Sequence, residues 1–304
     1  MSQPLRVLLR LTSLLVVIFM IFLGSRALVR ALPGDPVDTL ISESGTALSR
    51  DVLIKEMGLD RPFFQATFED LKKAIHGDLG VSLLSKQPIL PLLKARFLNT
   101  LELSFSAFFL AISASLWIAL SASRFPGGNM DKLCSLFGAL SASLPTTWVG
   151  PMLIIVFAIW IPLFPLGNNL FLPSITLAFG LIGFWARLIR LRVTETLKTG
   201  SAQAARARGI SENRVIIKYG LAPASGLLLA YIGSQLGALL TGTFVTEVIF
   251  NWKGMGSLLV TSVLRRDYPV VEAAVFVAAS CAVIGTALGD WARNSIERRE
   301  EHSL

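Results

Sequence analysis

Six long apolar runs, separated by polar stretches of very unequal length, set the pattern of this chain. They cover about Leu11–Leu32, Thr100–Ala122, Leu133–Leu163, Leu172–Leu191, Leu221–Val245 and Val270–Trp291. A helix rises about 1.5 Å per residue, so roughly 20 apolar residues cross a ~30 Å hydrocarbon core. Each run therefore predicts one transmembrane helix. The third is longer than a span needs and carries Pro145 and Pro151. Proline removes a backbone hydrogen bond and clashes with the preceding turn, so a kink or break is expected there. The expected fold class is all-α: a polytopic membrane helical bundle with six predicted transmembrane helices and a small external helical domain between helices 1 and 2.

The polar stretches assign the sides. Residues 33–97 hold nine acids and eight bases. Residues 187–218 hold eight bases (Arg187, Arg190, Arg192, Lys198, Arg206, Arg208, Arg214, Lys218) against Glu195 and Glu212. Cytoplasmic flanks collect Lys and Arg, while long translocated segments are exempt from that rule. The expected layout is then a cytoplasmic N-terminus and first helix over 1–32, and an external segment over 33–97. A membrane core follows over 98–292, with a cytoplasmic loop at about 192–222, and a cytoplasmic tail over 293–304. Arg6, Arg10, Leu11–Leu23 and Ser25-Arg26-Ala27 also fit a cleavable signal peptide, but the even span count favours a retained helix. Trp117, Trp160, Trp185 and Trp291 fall near span ends, where interfacial tryptophans are expected. Inside 33–97, short helices are expected at Asp51–Met57 and Pro62–His76. The second carries an apolar stripe of Phe64, Phe68, Leu71 and Ile75, read as a packing face.

Composition agrees with a membrane chain: 53% of residues are apolar and 16% charged, against about 25% charged in soluble domains. Cys134 and Cys281 sit in apolar runs and are read as reduced core residues. With only two histidines, a His-based metal site is not expected. No phosphate loop, Gly-x-Ser-x-Gly elbow or His-Glu-x-x-His helix occurs, so no catalytic residue is assigned.

Three places are candidates for function. The first is Gly200–Gly226, in which Ala202–Ala207 favours a helix, Gly209 permits a reversal and Ser211 can cap a second short helix. It reads either as a protein-docking element with a small alanine face or as a basic loop on anionic lipid. Nucleic acid is disfavoured because no aromatic residues interleave with the bases. The second is the fifth span, where Gly226, Ala230, Ser234, Ala238 and Gly242 recur every four residues beside Gly233, Gly237 and Thr241. Such a face lets a partner helix approach closely, within the chain or in another subunit. The third is polar groups in spans. Glu102 is a pathway-lining group or, more readily, the partner of an arginine such as Arg96 or Arg266. Pro145-Thr146-Thr147-Trp148 is the candidate pore wall, because broken helices line transporter paths.

At Ala204-Ala205, three residues and then Gly209, the chain resembles the cytoplasmic coupling motif of ABC-transporter permeases, with Gln203 at the usual acidic position. The rest is similar to the inner-membrane permeases of dipeptide, oligopeptide and nickel importers. The matching pieces, in order, are Leu32–Pro36, Gly58–Pro62, Gly77–Ser82, Asn99–Leu103, Ala205–Gly209, Thr246–Gly256 and Arg266–Val271. This resemblance implies a permease subunit in the bacterial inner membrane with both termini cytoplasmic. It implies half of a translocation path shared with a second homologous permease, two ATP-binding cassette ATPase subunits and an external substrate-binding protein. Membrane lipid surrounds it; ATP and Mg sit on the ATPases, and this chain holds no cofactor. It assigns coupling to Ala204, Ala205, Arg206, Gly209, Ile210 and Ser211. Short peptides are the expected substrate, with nickel or a metal chelate as the alternative. An ion-gradient-driven carrier fits less well, since repeated halves and rows of buried acids are missing.

Overall fold

The computed structural model describes residues 3–31, 62–164 and 169–301. The expected helix at Asp51–Met57 and the Leu32–Pro36 piece lie outside them. Among the described residues the regular elements are helices, and the one pairing of extended backbone is a lone antiparallel bridge between Val81 and Pro88. In chain order they are α1 (Gln3–Ala31), α2 (Phe63–Ile75), α3 (Ile89–Arg124), α4 (Asn129–Ser143), α5 (Thr146–Ile154), α6 (Phe171–Thr196), α7 (Gly200–Ala207), α8 (Glu212–Val215), α9 (Ala222–Ile249), α10 (Met255–Leu264) and α11 (Tyr268–Glu301). Two π-helical turns, Ile155–Trp160 and Ile216–Leu221, follow α5 and precede α9.

Four of these stretches are long and apolar enough to cross a membrane: Ile89–Arg124, Phe171–Thr196, Glu212–Gly233 and Tyr268–Ala287. The pair Asn129–Ser143 and Thr146–Trp160 (α4, then α5 with its π turn) makes a fifth if taken as one span, bent by 103°. In α1 the apolar helix counted among the described residues is Thr12–Ala27, shorter than a full crossing. The expected kink in the third run is a break. Leu144, which precedes Pro145, is forced into extended backbone (φ −97, ψ 116), and Pro145 starts the next helix. Pro151 lies inside α5, and a π turn follows it; Pro223, near the start of α9, is preceded by one. Each proline lacks an N–H, and a wider turn beside it rearranges the hydrogen bonds.

The chain divides into two compact units. The first comprises residues 1–100 and 253–284. There α1 and α11 pack antiparallel: Phe22 meets Phe276 edge-on at 5.3 Å, and Arg26 pairs with Glu272 at 3.2 Å. Several pieces noted in the sequence pair in space. Buried Asp267 accepts hydrogen bonds from the Ser82 hydroxyl (2.5 Å) and the Leu83 N–H (3.1 Å). Asn99 donates to the Lys253 carbonyl, and the Met255 N–H donates to Thr100 Oγ1, both at 2.8 Å.

The second unit comprises residues 101–252 and 285–304. Its centre is α6, with Ile182, Trp185, Ile189 and Val193 in one core with Ala111 and Ala119 of α3 and Val215 and Ile216. Trp185 is fully buried with Phe108 edge-on at 5.5 Å, so it is a core residue rather than a belt tryptophan. Its place near a predicted span end was misleading because α6 continues to Thr196. Trp117 and Trp160 are exposed, and the side chain of Trp291 lies outside the described residues. Helices α4 and α6 approach so closely that a Cβ on Gly183 would lie 2.6 Å from Ser141 Cβ. One end of this antiparallel pair is tied by Asp131 and Arg190, whose guanidinium engages both carboxylate oxygens, one through Nη2 at 2.7 Å. Asp131 also accepts the Gly127 N–H at 2.8 Å, which fixes the turn before α4.

Candidate functional site

The most built-up polar element is the segment after α6. The alanine-rich stretch forms α7, and the chain then reverses at Gly209, whose φ is +76. Only glycine adopts that backbone without strain. The Gly209 N–H donates to the Arg206 carbonyl (2.9 Å) and the Ile210 N–H to the Ala205 carbonyl (3.2 Å). This pair of bonds is the Schellman closure of a helix C-terminus, and Ile210 packs into the same core as Ala205. Ser211 stands at the N-cap of α8, but its side chain makes no cap hydrogen bond. Its hydroxyl is exposed, and water competes for it there.

Ala202 and Ala205 are buried on the core that includes Val193, Leu197, Val215 and Ile216. The expectation that the alanine face meets another protein is therefore corrected at Ala205, which serves this chain's own packing. The outward residues are Gln203, Ala204, Ala207, Arg208 and Gly209. Arg206 is not available as a free cation. Its Nε and Nη2 donate to the two oxygens of Glu212 at 3.1 and 2.7 Å, and Nη1 donates to the Leu197 carbonyl at 3.3 Å. The hydrogen bond to Arg206 holds the Glu212 carboxyl below the usual carboxylate range, and the same bond raises the Arg206 guanidinium. Beneath this hairpin Thr196 Oγ1 lies 2.7 Å from the Gly220 carbonyl, and a Cβ on Gly220 would meet Val193 Cγ1 at 3.0 Å. The result is a short helix held rigidly at its base, with small side chains and Arg208 on its outer side. A surface of that kind can seat in a groove of a second protein, because little has to be ordered when it docks.

The other candidates are placed differently. Glu102 is exposed and makes no ion pair among the described residues. It lies on the outward stripe of α3 with Phe105, Phe109 and Trp117, turned away from buried Leu103 and Ser104. Pro145, Thr146 and Thr147 form the apex of the bent α4–α5 pair, with Pro145, Thr147 and neighbouring Trp148 exposed. On α9, Gly233 and Gly242 have no atom within 4 Å of an added Cβ. The side chains at Ser234 and Gly237 lie outside the described residues. A close crossing of α4 and α6 is made by Gly138, Ser141 and Gly183. Sequence reasoning missed this crossing and the Asp131–Arg190 and Arg206–Glu212 pairs. The last spans a glycine turn at i, i+6, a spacing that no helical rule brings together.

Residues 111–302 match the family described as binding-protein-dependent transport system inner membrane component. The chain is 32% identical over 275 residues to the glutathione transport system permease protein GsiC of Escherichia coli strain K12, covering 88% of this chain and 89% of that protein. The GsiC proteins of Shigella flexneri serotype 5b (32%) and Shigella boydii serotype 4 (31%) match over the same shares.

Proposed function

The chain belongs to the family of binding-protein-dependent transport system inner membrane components, and from that premise we propose how it works as the permease of an ATP-driven importer. It forms half of a translocation path with a second, similar permease. The α7–α8 hairpin docks on a cytoplasmic ATPase, one of two that carry ATP and Mg, and an external binding protein delivers the substrate. This orientation puts both termini and residues 192–222 in the cytoplasm and residues 33–97 outside, with six crossings in all. Movement of the ATPases is passed through α7 to α6, and the packed helices tilt as a body. The apex at Pro145–Thr147 and the outward stripe around Glu102 are the pathway candidates.

The observation that carries the docking assignment is the sidedness of α7: Ala202 and Ala205 inward, Ala204, Ala207 and Arg208 outward. Peptide-type substrates are favoured over nickel, because the relatives named above are glutathione permeases and glutathione is a tripeptide. The test separates the two sides of α7. Ala204→Glu should insert and fold normally, yet lose transport and at least tenfold of the co-purifying ATPase. Ala205→Glu should reduce the yield of folded permease, since it buries an acid. Full ATPase retention and transport in Ala204→Glu would overturn the docking assignment. In proteoliposomes, uptake should need ATP hydrolysis and persist when ionophores collapse the ion gradients.

A further inference from the structure

The helix α2 meets three environments on three sides. At about 100° per residue, Ala66, Thr67 and Asp70 share one side. Ala66 and Thr67 are buried, and Asp70 accepts a hydrogen bond from Arg26 of α1 at 2.5 Å. Gln65, Lys72 and Lys73 are exposed on a second, polar side. By register Phe68 and Leu71 fall on a third, between the other two. The packing face expected there fails at Phe68, which is 73% exposed; Leu71 is half-buried, and the side chains of Phe64 and Ile75 lie outside the described residues.

The depth of α2 follows from what holds it. Arg26 lies at the end of the apolar stretch Thr12–Ala27 and pairs with both Asp70 and Glu272. Glu272 lies four residues into α11, at the start of a span. Charged groups are costly at the bilayer centre, so this cluster marks one boundary of the hydrocarbon. A helix tied to it lies at the same level. There an aromatic stripe faces acyl chains, while exposed lysines reach headgroups.

We propose that α2 is an interfacial helix whose Phe68 stripe is inserted into the lipid at the headgroup–acyl boundary. Its partner on that side is the membrane rather than a protein. The inference needs only that the chain is a membrane protein, so it stands or falls separately from the coupling assignment.

The test uses the assembled importer in lipid nanodiscs, with Cys134 and Cys281 replaced by Ala. Spin labels are placed at Phe68→Cys, Leu71→Cys and, as a water-side control, Lys73→Cys. Collision with oxygen reports lipid, and collision with a nickel chelate reports water. At Phe68 the ratio of oxygen to nickel-chelate collisions should exceed that at Lys73 at least fivefold, with a shallow depth. Leu71 should follow Phe68, and it serves alone if Phe68→Cys does not assemble. A Phe68 or Leu71 label as open to the nickel chelate as Lys73 would overturn the proposal. So would protection from both reagents, which would mean that a protein covers the stripe.

Discussion

Substituting Gly183 by Ala tests whether α4 and α6 act as one body. An added Cβ would lie 1.8 Å from Ser141 Oγ, 2.6 Å from Ser141 Cβ and 3.0 Å from the Phe137 carbonyl oxygen. The hydroxyl can rotate away. The Cβ cannot, and carbon atoms prefer about 3.5–4.0 Å, so the helices must part by about 1 Å. Overpacking of this kind costs about 1–3 kcal/mol, and the contact at 2.6 Å puts it at the upper end. For a domain of this size that is a loss of roughly 5–10 °C in melting temperature. Ser141→Gly removes both offending side-chain atoms, leaving only the carbonyl contact, and should restore most of the loss in the double variant. Ser141→Ala removes the oxygen but keeps the Cβ, and should restore little. The assay is thermal denaturation of the purified permease, read as the fraction surviving size-exclusion chromatography. A Gly183→Ala melt within about 1 °C of the parent would refute the reasoning, as would equal rescue by Ser141→Ala and Ser141→Gly.

Other perturbations address the ion pairs and the turn. Asp131→Asn strands a half-buried Arg190 and should destabilise by about 2 kcal/mol, between the values for exposed and buried pairs; denaturation of the Arg190→Gln double variant should show partial recovery. The Arg206–Glu212 pair is solvent-accessible, so its effect is local. Because the folded Glu212 pKa is lowered, its contribution is present above the ordinary carboxylate range and is lost as pH falls through the lowered value. Amide exchange around residues 206–212 should therefore quicken on acidification, and Glu212→Gln should remove that step at every pH. Gly209→Ala meets no atom within 4 Å but must keep φ near +76, so it should cost about 1 kcal/mol. The permease should still fold, and a transport assay should show a partial loss that deepens with Gly209→Val.

Local patterns settled much of this protein. Run length marks four helices that can cross a bilayer, while the third run is bent and the first holds a shorter apolar helix. The Leu144–Pro145 step determines where the third run breaks, since the restriction on a residue before proline acts on its own backbone. Gly209 announces its turn in the same local way. Recognition of the family also came from sequence, through the order and spacing of short pieces. What local patterns could not decide is rotation about each helix axis. Lipid and protein core are both apolar, so hydropathy does not distinguish Trp185 turned inward from Trp117 turned outward. Gly138 and Gly183, 45 positions apart, make a tight crossing that neither announces alone. Asp131 finds Arg190 across 59 residues, and Ala205 turns inward while Ala204 turns outward. Only packing of whole helices against one another fixes such facings, because each depends on which neighbours the tertiary fold supplies.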